Sequence, residues 1–187
     1  MDNIEVYNCD EGACPADMVL IPSLDVCIDR YEASIGAGGV AESMVGVTPT
    51  GVSWSQANEA CRAAGKRLCE EDEWYEACRG AAGDTYPYGD AFDAHRCNGC
   101  SHGAGGRVPN GSMDGCEGGY PDIFDMSGNA WEWTTTCSGD RCRVRGGSYY
   151  CHADPRLTDT TCTASFDFRA VEGPGLPYMG FRCCMTL

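Results

Sequence analysis

The chain has 187 residues, 43% of them hydrophobic, which suffices for one domain burying about two-thirds of its unfolded surface and calls for no second. Thirteen Lys and Arg against 28 Asp and Glu leave a formal charge of -15; that balance repels a phosphate backbone, so nucleic acid is not an expected partner, and it suits solubility, divalent cations or basic peptides. No apolar run approaches the roughly 18 residues of a membrane-spanning helix.

Fifteen cysteines are spread from Cys9 to Cys184 instead of being gathered into repeated metal-ligand pairs. This distribution predicts disulfides, and with them an extracytoplasmic location: periplasmic, cell-surface or secreted. The odd number predicts at least one thiol that is free or joined to another chain. The opening "MDNIEVYNCD" has neither the basic nor the apolar region of a signal peptide, so the expectation is a removed leader or another export route. Residues 1–17 read as an N-terminal extension and 18–187 as the domain.

"MVLIPS" (18–23) and "VCIDRYEAS" (26–34) have the β-branched and aromatic content of short strands around a turn, and predict a hairpin. Residues 34–51 are rich in glycine and small side chains, and read as a loop. "SWSQANEACRAAGKRL" (53–68) predicts a helix capped by Ser55, with Ala57, Cys61 and Ala64 on one face and Gly65 at its end. In "CEEDEWYEACRG" (69–80), acids at the start oppose the positive end of the helix dipole, Trp74, Ala77 and Cys78 share a face, and Gly80 terminates.

Residues 80–122 have little periodicity, so a loop of this length needs bridges or a metal to organise it. Its candidates are His95, Cys97, Cys100, His102 and Cys116. The Cys97-x-x-Cys100 pair lacks the second pair that a zinc site requires, and disulfides are the better expectation. Downstream, "FDMSGNAWEWTTTC" (124–137) reads as a half-buried strand from its alternating tryptophans, "RVRGGSYYC" (143–151) follows, and "YMGFRCCMTL" (178–187) is strand-like.

Taken in order, "GKRL…EW…RG", "YPYG", "DMSGNAWEW", "RGGSY" and "GFRC" resemble the formylglycine-generating enzyme family, also called sulfatase-modifying factor domains, over roughly residues 18 to 184. The resemblance implies an α+β, C-type lectin-like fold: loop-rich, with short antiparallel strands and two helices, stapled by disulfides. It also implies a bridge between Cys61 and Cys183 and one from Cys78 to a partner near Cys162. Proximity suggests Cys14 with Cys27 and Cys137 with Cys142, while Cys69 and Cys184 are extra to the family pattern.

The family's calcium turn falls on Asp125, Gly128, Ala130 and Glu132, hard oxygen donors of the kind calcium takes. A second family calcium site keeps its asparagine, Asn98, but Gly111 stands where the family has an aspartate. The family's oxidases hold copper(I) with two cysteines five residues apart after "RGGS". Cys151 matches the first; the second position is Arg156, and a guanidinium is no copper ligand.

The expected function is therefore a non-catalytic, calcium-bound module that binds a protein or peptide partner or assembles with copies of itself. A copper-dependent oxidase that converts a peptide cysteine to formylglycine with an altered thiol set is the alternative. Catalytic candidates are limited to Cys151, with His152 and Ser148 beside it. Arg145, Arg169 and Arg182 are expected in salt bridges with the surplus carboxylates.

Overall fold

Met18–Ile21 (β1) and Val26–Asp29 (β2) form the expected hairpin, antiparallel, with Met18 opposite Asp29 and Ile21 opposite Val26. The computed structural model describes residues 14–154, 156, 158–169 and 175–187; most of the expected N-terminal extension, Cys9 included, lies outside them. The 34–51 segment contains more order than its composition suggests. Ala33–Ile35 (β3) pairs with Ala41–Ser43 (β4) around a one-turn 3-10 segment, Ala37–Gly39. Glycine marked the turn, but three-residue strands are too short to display a period.

The first helix, Trp54–Ala63 (α1), is capped by Ser53 and not by Ser55. Ser53 Oγ accepts the Gln56 amide at 3.3 Å while Gln56 Oε1 accepts the Ser53 amide at 2.9 Å, a reciprocal capping box that Ser55 has no glutamine in register to make. The helix is also shorter than expected: Gly65 turns the chain at φ 73°, and Arg67–Leu68 leaves as a strand, β5. Glu71–Arg79 (α2) begins at Glu70, whose capping box with Glu73 and first-turn acids favour the N-terminus. Trp74, Ala77 and Cys78 are buried as expected, and Gly80 ends the helix at φ 61°.

The remaining strands are Glu117–Gly118 (β6), Tyr120–Phe124 (β7), Trp131–Ser138 (β8), Arg141–Arg145 (β9), Ser165–Arg169 (β10), Met179–Phe181 (β11) and Cys183–Thr186 (β12). Two four-stranded sheets result, ordered β1-β2-β12-β5 and β10-β9-β8-β11. In the second, β11 runs parallel to β8, with Met179 opposite Trp131, so this sheet is mixed and not wholly antiparallel. Arg182 is the single residue between β11 and β12, where the chain passes from one sheet to the other.

The "WEWT" stretch is buried at all four residues and is not half-buried. One face packs Trp131 and Trp133 into an apolar cluster with Ala57, Leu68, Val144 and Phe181, and the other carries Glu132 into a polar interior. A second cluster gathers Ile21, Ile28, Trp74, Ile123 and Met126 beneath α2.

All 14 cysteines among the described residues are bridged, in seven pairs. Cys61–Cys183, Cys78–Cys162, Cys14–Cys27 and Cys137–Cys142 are joined as the sequence suggested. Cys69–Cys184, Cys97–Cys116 and Cys100–Cys151 complete the set. Cys183 and Cys184 are neighbours in β12, and strand alternation sends one to α1 and the other to the residue leading into α2.

Candidate functional site: a buried acidic turn and a bridged cysteine

The chain leaves β7 through a turn in which Asp125, Gly128 and Asn129 take φ of 62°, 81° and 55°. Gly128 is required twice over: its φ is left-handed, and a Cβ would come within 2.5 Å of the Asn98 carbonyl oxygen. The turn is anchored by Gly128 N donating to Gly146 O (2.8 Å) and Asn129 N donating to Asn98 O (2.9 Å).

This turn places acid in the interior. Asp125 is 2% exposed, and its Oδ2 accepts one hydrogen bond, from the Gly111 amide at 2.8 Å. Burial pushes its carboxyl up to about 6, against the pull of that amide and of Arg182, with Glu132 adding to the rise. Glu132 is bound by Arg182 through Nε to Oε2 (2.6 Å) and Nη2 to Oε1 (2.7 Å), and its Oε2 also accepts Trp74 Nε1 at 2.7 Å.

A third carboxylate, Glu32, went unnoticed in the sequence. It is fully buried between β2 and β3, where its oxygens accept the Ala130 amide (2.9 Å) and the Asn129 side-chain amide. Burial first, then Glu132 and Asp125, raise it well above the usual carboxylate range, while Arg107 and Arg182 pull the other way. Nothing local in "DRYEAS" distinguishes it from a surface acid.

Three interior carboxylates thus share one fully buried guanidinium, with Arg107 reaching only Glu32 among them. The surplus negative charge, the single hydrogen bond to Asp125 and the lone pair left on Glu132 Oε1 fit a hard cation held by Asp125 and Glu132 with the Gly128 and Ala130 carbonyls. Asn98, the residue matched to the second family calcium site, packs against the same turn. Its Nδ2 donates to Gly106 O (2.9 Å) and Asn129 Oδ1 (3.0 Å), its buried Oδ1 lacks a hydrogen-bond partner, and Gly111 supplies an amide where a carboxylate is needed. Among the described residues, the one trio of side-chain ligands within 4.8 Å of each other is Cys69, Glu73 and Cys184, whose two sulfurs are bonded together.

The "RGGSYYC" segment continues from the Arg145 end of β9. Arg145 pairs with Glu71 at 3.0 Å, as Arg169 does with Asp140 at 3.0 Å. Gly146, at φ 90°, lies so close to Trp74 that a Cβ would meet the ring at 2.9 Å. Ser148 is fully buried and its Oγ accepts the Tyr150 amide at 3.3 Å, so that it shapes the turn. Cys151 is exposed, yet its sulfur is bonded to Cys100.

His152 is no base for Cys151. Its ring packs edge-on against Tyr150 and Tyr178, at 4.7 and 4.8 Å between centroids, and burial lowers its basicity. Arg156 turns back on Asp154, with Nη2 to Oδ2 at 2.6 Å. The zinc candidates lose their thiols likewise: Cys97 is bonded to Cys116 and Cys100 to Cys151, while His95 and His102 stay edge to face at 6.5 Å between centroids and His102 Nδ1 contacts the Ala94 carbonyl at 3.3 Å.

A family model for the sulfatase-modifying factor enzyme 1-like domain matches residues 37–187. The chain belongs to this family. It is 33% identical over 155 residues to inactive C-alpha-formylglycine-generating enzyme 2 of Bos taurus, covering 67% of this chain and 50% of that protein. It is 31% identical over 134 residues to formylglycine-generating enzyme of Mus musculus, covering 54% of this chain and 35% of that protein. The chain thus spans about half the length, or less, of these curated relatives.

Among solved structures, it superposes on the major tropism determinant P3c variant with a TM-score of 0.66 at 15% identity, over 95% of this chain and 55% of that one. PvdO from Pseudomonas aeruginosa gives 0.60 at 16%, over 87% and 80%. These likenesses establish the C-type lectin-like fold of the sulfatase-modifying factor domain.

Proposed function

We propose that this sulfatase-modifying factor domain is a non-catalytic, calcium-bound, disulfide-stapled module that binds a protein or peptide partner, or further copies of itself, outside the cytoplasm. The observation that carries this reading is the fate of the two positions where the family's oxidases hold copper. The first sulfur is engaged with Cys100, and the second position presents the guanidinium of Arg156, paired with Asp154. Copper(I) needs two adjacent soft donors, and neither position supplies a free one.

Further support comes from the relative of Bos taurus described as inactive, from the two buried carboxylates Asp125 and Glu132 at the turn, and from seven bridges, which persist in oxidising surroundings. With calcium in place, Asp125 and Glu132 hold the turn between β7 and β8. The loops rooted beside it then form a rigid presenting surface.

The test is metal titration of the native, unreduced protein. Calcium is expected to bind and to raise the thermal midpoint, while a chromophoric copper(I) chelator should keep its metal in the protein's presence. Removal of copper from the chelator in a one-to-one ratio, lost in Cys151→Ala, would favour the oxidase reading instead.

A further inference from the structure

The "YPYG" stretch and the loop after it build a cleft from residues that the candidate site does not use. Tyr86 N donates to Gly89 O (2.9 Å) and Gly89 N to Tyr86 O (3.1 Å), and this tight turn stacks Tyr86 on Tyr88 with centroids 5.3 Å apart and planes 9° from parallel. Phe92 leans on Tyr86 at 5.8 Å and 50°. Its ring is 55% exposed, more than any other aromatic among the described residues. The turn is held from three sides: Gly119 N donates to Pro87 O (2.9 Å), Cys162 N donates to Thr85 O (2.8 Å), and the Cys97–Cys116 bridge fixes the far end of the loop. The rings are therefore in place before any ligand arrives, which spares the cost of ordering them.

The cleft is open, about 600 Å³ in volume, and bounded by Tyr88, Phe92, Asp90, Asp93 and Arg96, with small residues between them. It shares no residue with the hollow beside Cys151. Its charge is acidic, since Asp90 and Asp93 outnumber Arg96, and Asp159 adds to the burial that raises the Tyr86 phenol. Arg96 already places its guanidinium over the Tyr88 ring, 6.0 Å from the centroid, as a cation attracted to an aromatic face does. Most of the carboxylate oxygens are engaged. Asp90 Oδ1 accepts Thr85 N (3.0 Å) and Thr85 Oγ1 (2.9 Å), Asp93 Oδ1 accepts the His95 amide (2.9 Å), and Asp93 Oδ2 lies 3.6 Å from Arg96 Nε. The cleft thus offers negative potential and ring faces, but few open acceptors. A primary ammonium, compact and strongly hydrated, would exchange its water for too few partners there. A cation with no N–H to satisfy suits it better.

We infer that the cleft between Tyr88 and Phe92 is a binding site for a soluble quaternary ammonium ion, held by the aromatic faces and by the charge of Asp90 and Asp93. The methyl groups of such an ion rest on the rings, and its positive charge is spread over them where the ring quadrupoles are negative. A choline-bearing lipid carries the same cation, but its phosphate would lie against Asp90, Asp93 and a chain of formal charge -15, so the assigned source is a free solute. This goes beyond the binding module proposed above, since it assigns a small-molecule site that depends neither on calcium nor on a protein partner.

The experiment is calorimetric titration of the native protein, at fixed ionic strength, with choline and with neohexyl alcohol, its neutral analogue in which carbon replaces the nitrogen. Choline is expected to saturate one site per chain and to bind about fivefold more tightly than the alcohol, the advantage of a cation at an exposed aromatic site. Phe92→Leu, a change at an exposed position that should leave the thermal midpoint where it is, is expected to weaken choline by a similar factor. Asp90→Asn keeps the oxygen that Thr85 uses and should weaken choline through lost charge, whereas Arg96→Gln removes a like charge and should strengthen it. Equal binding of the two probes would show an apolar hollow blind to charge, and choline binding unaffected by Phe92→Leu would place the ion elsewhere. Either result overturns the inference, as does the absence of saturable choline binding. Cosedimentation with phosphatidylcholine vesicles in the absence of binding to free choline would assign the cleft to a membrane and overturn it too. Calcium and copper titrations read other residues, so this inference and the binding-module reading fail separately.

Discussion

Arg182 and Glu132 face each other through two hydrogen bonds of 2.6 and 2.7 Å, with both side chains 1% exposed or less. Arg182 also donates to the carbonyls of Asp29 and Phe124, both at 3.0 Å, so one guanidinium ties β2, β7 and β8 together where the chain changes sheets.

Replacing Arg182 with Met should therefore be severe. The apolar stem is kept, but Glu132 and two carbonyls lose their donor in the interior. The expected loss is about 3–5 kcal/mol, the usual result of leaving one half of a buried ion pair alone. Urea unfolding followed by tryptophan fluorescence measures it. A loss below about 1 kcal/mol would mean that the pair is relaxed by water.

The carboxyl of Asp125 makes a prediction about pH. Its folded value of about 6 lies above the ordinary 3.8, so between those limits the folded state keeps a proton that the unfolded chain has lost. Stability then falls as pH rises through this window and levels off above it, by on the order of 3 kcal/mol from this group. In chelator, the unfolding midpoint should be higher at pH 5 than at pH 7.5, and Asp125→Asn should flatten the difference. Calcium favours the ionised carboxylate, so excess calcium should reverse the order, with apparent affinity weakening as pH drops through about 6.

Two bridges invite comparison. Cys61–Cys183 spans 122 residues and Cys137–Cys142 spans 5. Loop-closure entropy assigns the first about 5 kcal/mol and the second about 2. Serine pairs at each should differ accordingly in denaturant midpoint, and equal losses would show that chain entropy is not the dominant contribution.

The copper positions can be rebuilt. Arg156→Cys alone should gain no copper(I) affinity, because Cys151 stays with Cys100. Combined with Cys100→Ser, the same change frees two thiols at the family's spacing, and chelator competition should then register one copper(I) per chain. Binding by the single variant would contradict the bridged state of Cys151.

What the sequence revealed, and what it hid, follows the range of each signal. Helix faces such as Trp74, Ala77 and Cys78 are written at fixed spacing, and the ordered motifs identified the family before any geometry. Salt-bridge roles for Arg145, Arg169 and Arg182 followed from the surplus of acid. Glu32 was invisible because its burial depends on a turn nearly a hundred residues away. The partner of Cys151 was equally hidden, since no local pattern links it to a cysteine 51 residues earlier. Ser53 was passed over for Ser55 although its signal, a glutamine three residues on, was legible in "SWSQ".

The adjacent cysteines of β12 give this strand a mechanical role. Pulling on the chain beyond Thr186 would not peel β12 from its neighbours as a zipper opens, because each face is riveted, one to α1 and one to the approach to α2. Load from that side can free Thr186 and Met185 from Val26 and Cys27, and then stops at the covalent bonds of Cys184 and Cys183. Single-molecule extension of the oxidised domain should consequently stop far short of its contour length, and lengthen abruptly once reductant is added.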